Sequence, residues 1–270
     1  MGELGLVAAE ENDAGALGDE VQVWVTYPPG FDPKKKWPLL HLIHGGPHTA
    51  VGDNWHYRWN NPLFAAGSGK KGDAGHVVAV VNYHGSSGFG HAFLDSITHR
   101  WGELELQDVE AGTDWLLAKP WVDKRRIFAT GGSYGGYMVA WMNGHVPAGR
   151  YQAYVCHAGC FDWTAMFADD AYTWHAKELG AWYWEDPAKV EAQSPSTFAA
   201  AMKTLGNIVP RTHLSLKGDQ FDVVLNATSA GHKGEVPRLP PGLFAPGAVA
   251  YDLNYGPASE PFLAWAKAQG

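Results

Sequence analysis

Apolar and polar positions along the chain repeat with two periods, one typical of strands and one typical of helices. Residues 21–27 alternate between apolar and polar, as a strand with one covered face does. Four later segments are almost continuously apolar, which predicts strands covered on both faces: 39–43, 77–81, 127–130 and 154–156. Between them, residues 104–117 have apolar side chains at helical spacing, with acids on the other face. Strands alternating with helices predict an α/β fold with a mostly parallel central sheet flanked by helices.

Composition narrows the class of protein. The chain has 270 residues, of which 46% are hydrophobic and 18% charged, so a single folded domain is expected and disorder is excluded. A formal net charge of −8 disfavours binding to nucleic acid or to an anionic membrane surface. No apolar run is long enough to span a bilayer and the start lacks a secretory signal, so a cytoplasmic location is expected.

A G-x-S-x-G motif stands at residues 131–135, between a short apolar run and a sequence that favours a helix. Strand, motif and helix in that order are typical of a nucleophile elbow, a tight turn that exposes a reactive serine. Small residues two places before and after the serine let the backbone close without Cβ clashes. The motif therefore predicts Ser133 as a nucleophile; a glycine-rich structural turn is the alternative.

The sequence His-Gly-Gly-Pro at residues 44–47 follows the predicted strand 39–43. Such a turn supplies a backbone N–H to an oxyanion, together with the N–H of the residue after the nucleophile. The expected donors are Gly46 and Tyr134. A metal cluster of His41, His44 and His48 is the competing interpretation, but residues three apart on a strand point to opposite faces. No metal or cofactor is therefore expected.

Motifs along most of the chain resemble, in order and spacing, the catalytic domain of the prolyl oligopeptidase family, nearest its acylaminoacyl-peptidase and dipeptidyl-aminopeptidase branch. The similar segments are 23–32, 44–47, 82–90, 101–102 with Asp108, 131–138, 157–160 and 194–195. The resemblance covers about residues 18–204. It implies an α/β-hydrolase fold and acyl transfer through Ser133.

The chain departs from this family in two places. About twenty residues precede the first predicted strand, which leaves no room for the β-propeller of that branch. A single hydrolase domain over residues 1–270 is therefore expected, with a divergent tail at 205–270. Family members also have an acid and then a histidine in the tail, in the order serine, acid, histidine. Here the histidine segment of the family is missing, so the tail is the part of the chain that departs from the family's active site.

Asp222 and His232 are the predicted acid and histidine of the tail. Asp219 competes with Asp222, because the family spacing fits neither perfectly. His213 competes with His232 and is expected within a strand, where a structural role is the simpler explanation. His232 lies close to two glycines, which predict a loop. A solvent-exposed histidine without a catalytic role is therefore the simpler interpretation of His232.

Aromatic residues are dense between positions 161 and 184. They are predicted either to line an apolar substrate pocket, with Trp163 and Tyr183 favoured, or to pack a helix onto the sheet. The leading hypothesis is a serine hydrolase acting on peptides or esters with apolar acyl groups, with small esters favoured over long peptides. The alternative is a catalytically impaired α/β-hydrolase-like protein that binds a ligand in its aromatic pocket.

Overall fold

The computed structural model describes residues 7–12, 15–67, 74–168, 171–201, 213–226, 228, 230–252, 254 and 256–269. The chain divides into two units, Met1–Ile208 and Val209–Gly270. The change of character expected between residues 204 and 205 lies outside the described residues. The extent of the hydrolase domain therefore stays a prediction.

Six strands form one sheet in the first unit, in the order β1-β2-β4-β3-β5-β6. They are β1 (Val7–Asn12), β2 (Val21–Thr26), β3 (Trp37–Ile43), β4 (Val77–Asn82), β5 (Val122–Gly132) and β6 (Ala153–His157). The pairings of β3 with β4 and β5, and of β5 with β6, are parallel, whereas β1 and β2 run antiparallel to their neighbours. The mostly parallel sheet and the five strands predicted from periodicity are thus confirmed.

Burial along the strands follows their place in the sheet. All six residues of β4, a central strand, are buried, and β2 alternates between buried and partly buried positions as its polar pattern predicts. β6 differs from the expectation of a covered strand, since Val155 is 58% exposed. Among the strands that the structure describes, β6 pairs with β5 alone, so an apolar sequence does not ensure burial at the end of a sheet.

Seven helices of the first unit lie within the described residues. They are α1 (Asn61–Ala66), α2 (His91–Asp95), α3 (Leu104–Leu117), α4 (Tyr134–His145), α5 (Trp163–Met166), α6 (Tyr172–Leu179) and α7 (Pro187–Glu191). The bounds predicted for α3 are confirmed, but the placement of its acids away from the core is wrong. Glu105 and Asp108 are fully buried, because both accept hydrogen bonds from backbone or side chains of other segments.

The second unit has a parallel strand pair, β7 (Phe221–Asn226) and β8 (Phe244–Asp252), and a helix, α8 (Glu260–Ala268). At the ends of the two strands the Asn226 side chain donates to Asp252 Oδ2 at 2.9 Å, and both residues are buried. In neither unit does any described helix have the length and apolar character needed to cross a membrane.

Candidate active site

Ser133 lies at the turn between β5 and α4 and is exposed. Its backbone has φ 59° and ψ −122°, a conformation that costs a non-glycine residue about 1–3 kcal/mol. Two hydrogen bonds hold it there: Ser133 N donates to His157 O, and Tyr137 N donates to Ser133 O, both at 3.0 Å. Such a held, strained turn is the geometry of a nucleophile elbow.

The glycines of the motif allow this turn to pack against β3. A Cβ on Gly135 would lie 2.1 Å from the Ile43 oxygen, and one on Gly131 would lie 2.5 Å from the Gly135 oxygen. Both gaps are far shorter than a van der Waals contact. The spacing of the motif is therefore a packing requirement in this fold.

His44 anchors the glycine turn that follows β3. Its ring stacks on Tyr83 at 4.1 Å, its Nε2 lies 2.9 Å from Ser86 Oγ, and its Nδ1 lies 2.9 Å from Gly45 O. Burial lowers the pKa of His44 to about 4, so the ring is neutral at pH 7. Gly46 has φ 134°, which a side chain rarely permits. The imidazole thus positions the turn that carries Gly46.

The three histidines weighed as metal ligands have separate partners. His41 Nδ1 lies 2.9 Å from Thr113 Oγ1, and burial lowers the pKa of His41 to about 3. His48 Nδ1 donates to Gly85 O at 2.9 Å, while its Nε2 faces Glu178 Oε2 at 3.2 Å. Across the described ranges, no group of three or more His, Cys, Asp or Glu side chains is placed to hold a metal ion.

Glu105 is a buried acid that forms a hydrogen bond with the side chain of Tyr134. The Tyr134 hydroxyl donates to Glu105 Oε1, which also accepts from Gly102 N at 3.2 Å. Burial raises the pKa of Glu105 to about 7, despite these hydrogen bonds, and the nearby Asp108 carboxylate adds to the rise. The sequence analysis did not identify Glu105, because acids on a helix are usually exposed to solvent. The Trp-Gly pair just before α3 was the only local signal of it.

Asp108 fixes the segment after β4. Its carboxylate accepts from Ala16 N at 2.6 Å, His84 N at 2.6 Å and His84 Nδ1 at 2.7 Å. Burial alone would lower the pKa of His84, but its bonds to Asp108 and Asp19 raise it. The resemblance included Asp108, and the structure gives it a structural role.

A cavity of about 400 Å³ opens beside Ser133. Its lining residues are Leu42, Ile43, His44, Gly45, Gly46, Thr49, Ala50, Val51, Asn54, His56, Arg58, Trp59, Asn61, Gly132 and Ser133. The ring of Trp59 meets the ring of His157 edge-on at 5.7 Å. The cavity therefore brings together Ser133, Gly46 and the segment 54–61, which sequence reasoning did not associate with the site.

The aromatic segment is divided between the core and the surface, and four of its aromatic residues are exposed: Phe161, Tyr172, Trp174 and Trp184. Trp163 is 1% exposed, packs against Trp101 at 5.3 Å, and donates from Nε1 to Gln193 O at 3.0 Å. Tyr183 is partly buried against the same core. Neither residue lines the cavity beside Ser133. The ring of Trp163 is enclosed by other aromatic rings, which favours the alternative that the segment packs a helix onto the sheet. The assignment of Trp163 and Tyr183 as pocket residues stays a prediction.

The predicted acid and histidine lie in the second unit. Asp222 is exposed on β7, and His232 is exposed in a 3-10 helix at Ala230–Lys233. No hydrogen bond or ion pair joins these two described side chains. Asp219 lies two residues before β7. The strand expected around His213 is wrong: His213 begins a short 3-10 helix, His213–Leu216.

Comparison with known proteins gives the affiliation. A model of the prolyl oligopeptidase family matches residues 55–229, which is more than half of the chain. The chain belongs to the prolyl oligopeptidase family. The resemblance seen in its motifs is thereby confirmed.

Several proteins of this family are similar to the chain. It is 34% identical over 186 residues to dipeptidyl-peptidase 5 of Schizosaccharomyces pombe, with 68% of this chain and 26% of the relative covered. The corresponding values for dipeptidyl-peptidase 5 of Porphyromonas gingivalis are 34% over 181 residues, 67% and 25%. The chain therefore spans about a quarter of the length of these relatives.

Solved structures confirm the α/β-hydrolase fold. Pyrococcus horikoshii acylaminoacyl peptidase superposes with a TM-score of 0.63 at 25% identity, over 74% of this chain and 31% of that protein. A Mycobacterium tuberculosis puromycin-hydrolyzing peptidase gives 0.60 at 23% identity, over 73% and 30%. Membership in a family of serine peptidases agrees with the serine hydrolase hypothesis.

Proposed function

We propose that the chain is a serine hydrolase that cleaves small peptides or esters through an acyl-enzyme on Ser133. The observation that supports this most is the exposed Ser133 on a strained turn between β5 and α4. The cavity beside Ser133 offers room for one side of a substrate. Family membership supports the same chemistry.

The proposed reaction has two steps. Ser133 Oγ attacks the substrate carbonyl carbon, and the N–H groups of Gly46 and Tyr134 bind the oxyanion that forms. The intermediate collapses with loss of an amine or alcohol, which takes up the proton that Ser133 released. Water then attacks the carbonyl carbon of the ester on Ser133, the bond to Oγ breaks, the acyl group leaves as a carboxylic acid, and Oγ regains a proton.

Proton transfer is assigned to His232, oriented by Asp222, because family members have this pair in the tail. Asp219 and His213 remain the competing pair. Each histidine is an exposed side chain of the second unit. Small esters are the favoured substrates of the chain itself, since an activated leaving group needs less protonation. A cytoplasmic location is kept as an expectation that rests on the sequence alone.

Labelling with a fluorophosphonate probe tests the assignment of Ser133. We expect a covalent adduct with the full chain and none with Ser133→Ala, whereas Ser196→Ala, a matched change elsewhere in the first unit, should label normally. Esterase activity should fall by about 10⁴–10⁶ in Ser133→Ala. A full adduct on the Ser133→Ala variant would refute the proposal.

The tail residues need a separate test. We expect His232→Ala to lower kcat strongly and His213→Ala to leave it unchanged; the reverse result would transfer the role to His213. The same comparison of Asp222→Asn with Asp219→Asn assigns the acid.

A second candidate function is a ligand-binding protein with impaired catalysis. It is favoured by the absence of any bond between the described side chains of Asp222 and His232. Hydrolysis lost equally in Ser133→Ala and His232→Ala would exclude this candidate.

A further inference from the structure

The cavity beside Ser133 is cationic, although the whole chain has a net charge of −8. Arg58 is the permanently charged residue among its described lining residues, and none of them is an aspartate or glutamate. The apolar walls come from Leu42, Val51 and Trp59. An exposed guanidinium beside an apolar recess that has no acidic residue in its described lining favours an anionic ligand.

Arg58 is held at this cavity without a carboxylate partner. Its guanidinium carbon lies 5.8 Å from the ring centroid of Trp59, within cation–π range. Arg100, Arg126 and Arg150 each form an ion pair with a carboxylate. In the described part of the chain Arg58 forms none, so its N–H donors are available to a ligand.

His56 adds a second donor to the same wall. Its Nδ1 accepts hydrogen bonds from Arg58 N at 3.1 Å and Trp59 N at 2.9 Å. A nitrogen that accepts cannot hold the proton of a neutral imidazole, so that proton is on Nε2. Nε2 is therefore a donor in either protonation state. Arg58 and His56 are both exposed residues of the cavity lining, and both carry donors that a carboxylate accepts.

We propose that this cavity binds a substrate carboxylate through Arg58 and His56, while Ser133 acts on the neighbouring carbonyl. The inference rests on the proposed hydrolase function and adds the substrate class: peptides or esters with a carboxylate near the cleaved bond. That carboxylate belongs to an aspartate or glutamate side chain or to a free chain terminus. The two sources share the same recognition chemistry and differ in their distance from the carbonyl.

Matched substrates test the proposal in the full chain. One pair of peptide esters differs only by glutamate or glutamine beside the cleaved bond, and a second pair by a terminal carboxylate or amide. We expect kcat/KM to favour the acidic member of at least one pair by roughly 10–100-fold, the range of a hydrogen bond between charged groups. The preferred pair identifies the source of the carboxylate.

Substitution of Arg58 connects the preference to the cavity. Arg58→Gln should remove the preference, so that the acidic and neutral members of a pair are cleaved at equal rates. Arg58→Lys should retain part of the preference, because the charge stays without the planar fork. Arg125→Gln is the control, since Arg125 is a surface arginine whose side chain is 90% exposed. Equal rates for both members of both pairs, or a preference that persists in Arg58→Gln, would overturn the proposal.

Calorimetry separates this proposal from the hydrolase function. Two proteins are compared: the Ser133→Ala variant and the double variant Ser133→Ala, Arg58→Gln. For each, calorimetry measures the binding of the glutamate and glutamine peptides and of the terminal acid and amide. We expect tighter binding of one acidic peptide in the first protein and no difference in the second. This result would support the carboxylate subsite even if the fluorophosphonate probe did not label the chain. Absence of labelling would refute only the hydrolase assignment. Equal binding of acidic and neutral peptides to Ser133→Ala would refute the subsite even where Ser133 labels.

Discussion

Replacing Glu105 by glutamine should stabilise the protein at pH 8. Glu105 is fully buried, its Oε1 contacts the Tyr134 hydroxyl and Gly102 N, and no described group bonds to its Oε2. At pH 8 the folded protein therefore holds a poorly compensated buried charge. Glutamine keeps an oxygen that accepts from both donors and has no charge to desolvate.

The magnitude follows from the pKa of Glu105. Burial raises it from 4.5 to about 7. Between these two pKa values the unfolded chain has lost a proton that the folded protein keeps, so stability falls as the pH rises from about 4.5 to about 7. At about 1.4 kcal/mol for each pKa unit, this loss totals about 3 kcal/mol above pH 7. Below pH 4.5 both states are protonated, and the contribution disappears.

Urea unfolding at pH 5 and pH 8, followed by tryptophan fluorescence, measures this difference. Glu105→Gln should match the wild type within about 1 kcal/mol at pH 5 and exceed it by about 2–3 kcal/mol at pH 8. Glu103→Gln, a neighbouring glutamate whose side chain is 54% exposed, should change little at either pH. If Glu105→Gln and the wild type lost stability in parallel between pH 5 and pH 8, the buried-charge explanation would be refuted.

Three further substitutions test the packing and electrostatics around the site. Gly135→Ala should lower the free energy of unfolding by about 3 kcal/mol, because a Cβ there lies 2.1 Å from a backbone oxygen of β3. Gly52→Ala is the control, since a Cβ at Gly52 meets nothing within 4 Å. Equal urea midpoints for the two variants would contradict this expectation. Asn60→Ala removes the cap of α1, so thermal melting should report a loss of about 1 kcal/mol, and an unchanged melt would count against the cap. The pKa of His84 is raised above 6.5, so the stability it gains from Asp108 is present below pH 6.5 and lost as the pH rises through the raised value. His84→Gln should flatten that part of the stability curve, and a curve of unchanged shape would exclude this role.

The amino-acid sequence by itself determined five strands of the first sheet, α3 and the nucleophile motif. Its apolar periods predicted the strands and the bounds of α3 because burial on one or both faces repeats every two or about four residues. The glycine spacing predicted the turn at Ser133 because the clashes that exclude other residues act at short range. The sequence likewise revealed the family, whose motifs have characteristic order and spacing.

Tertiary structure decided which polar groups are buried and what they do. Glu105 bonds to Tyr134, 29 positions away, and Asp108 bonds to Ala16, 92 positions away. A buried carboxylate is stable only where hydrogen-bond donors from distant segments contact it. The periodicity of one helix does not show which distant donors lie nearby. The enclosure of Trp163, the exposure of Val155 and the presence of Arg58 beside Ser133 have the same origin. Each depends on contacts between segments, whereas the periods that predict strands and helices depend on residues close together in the chain.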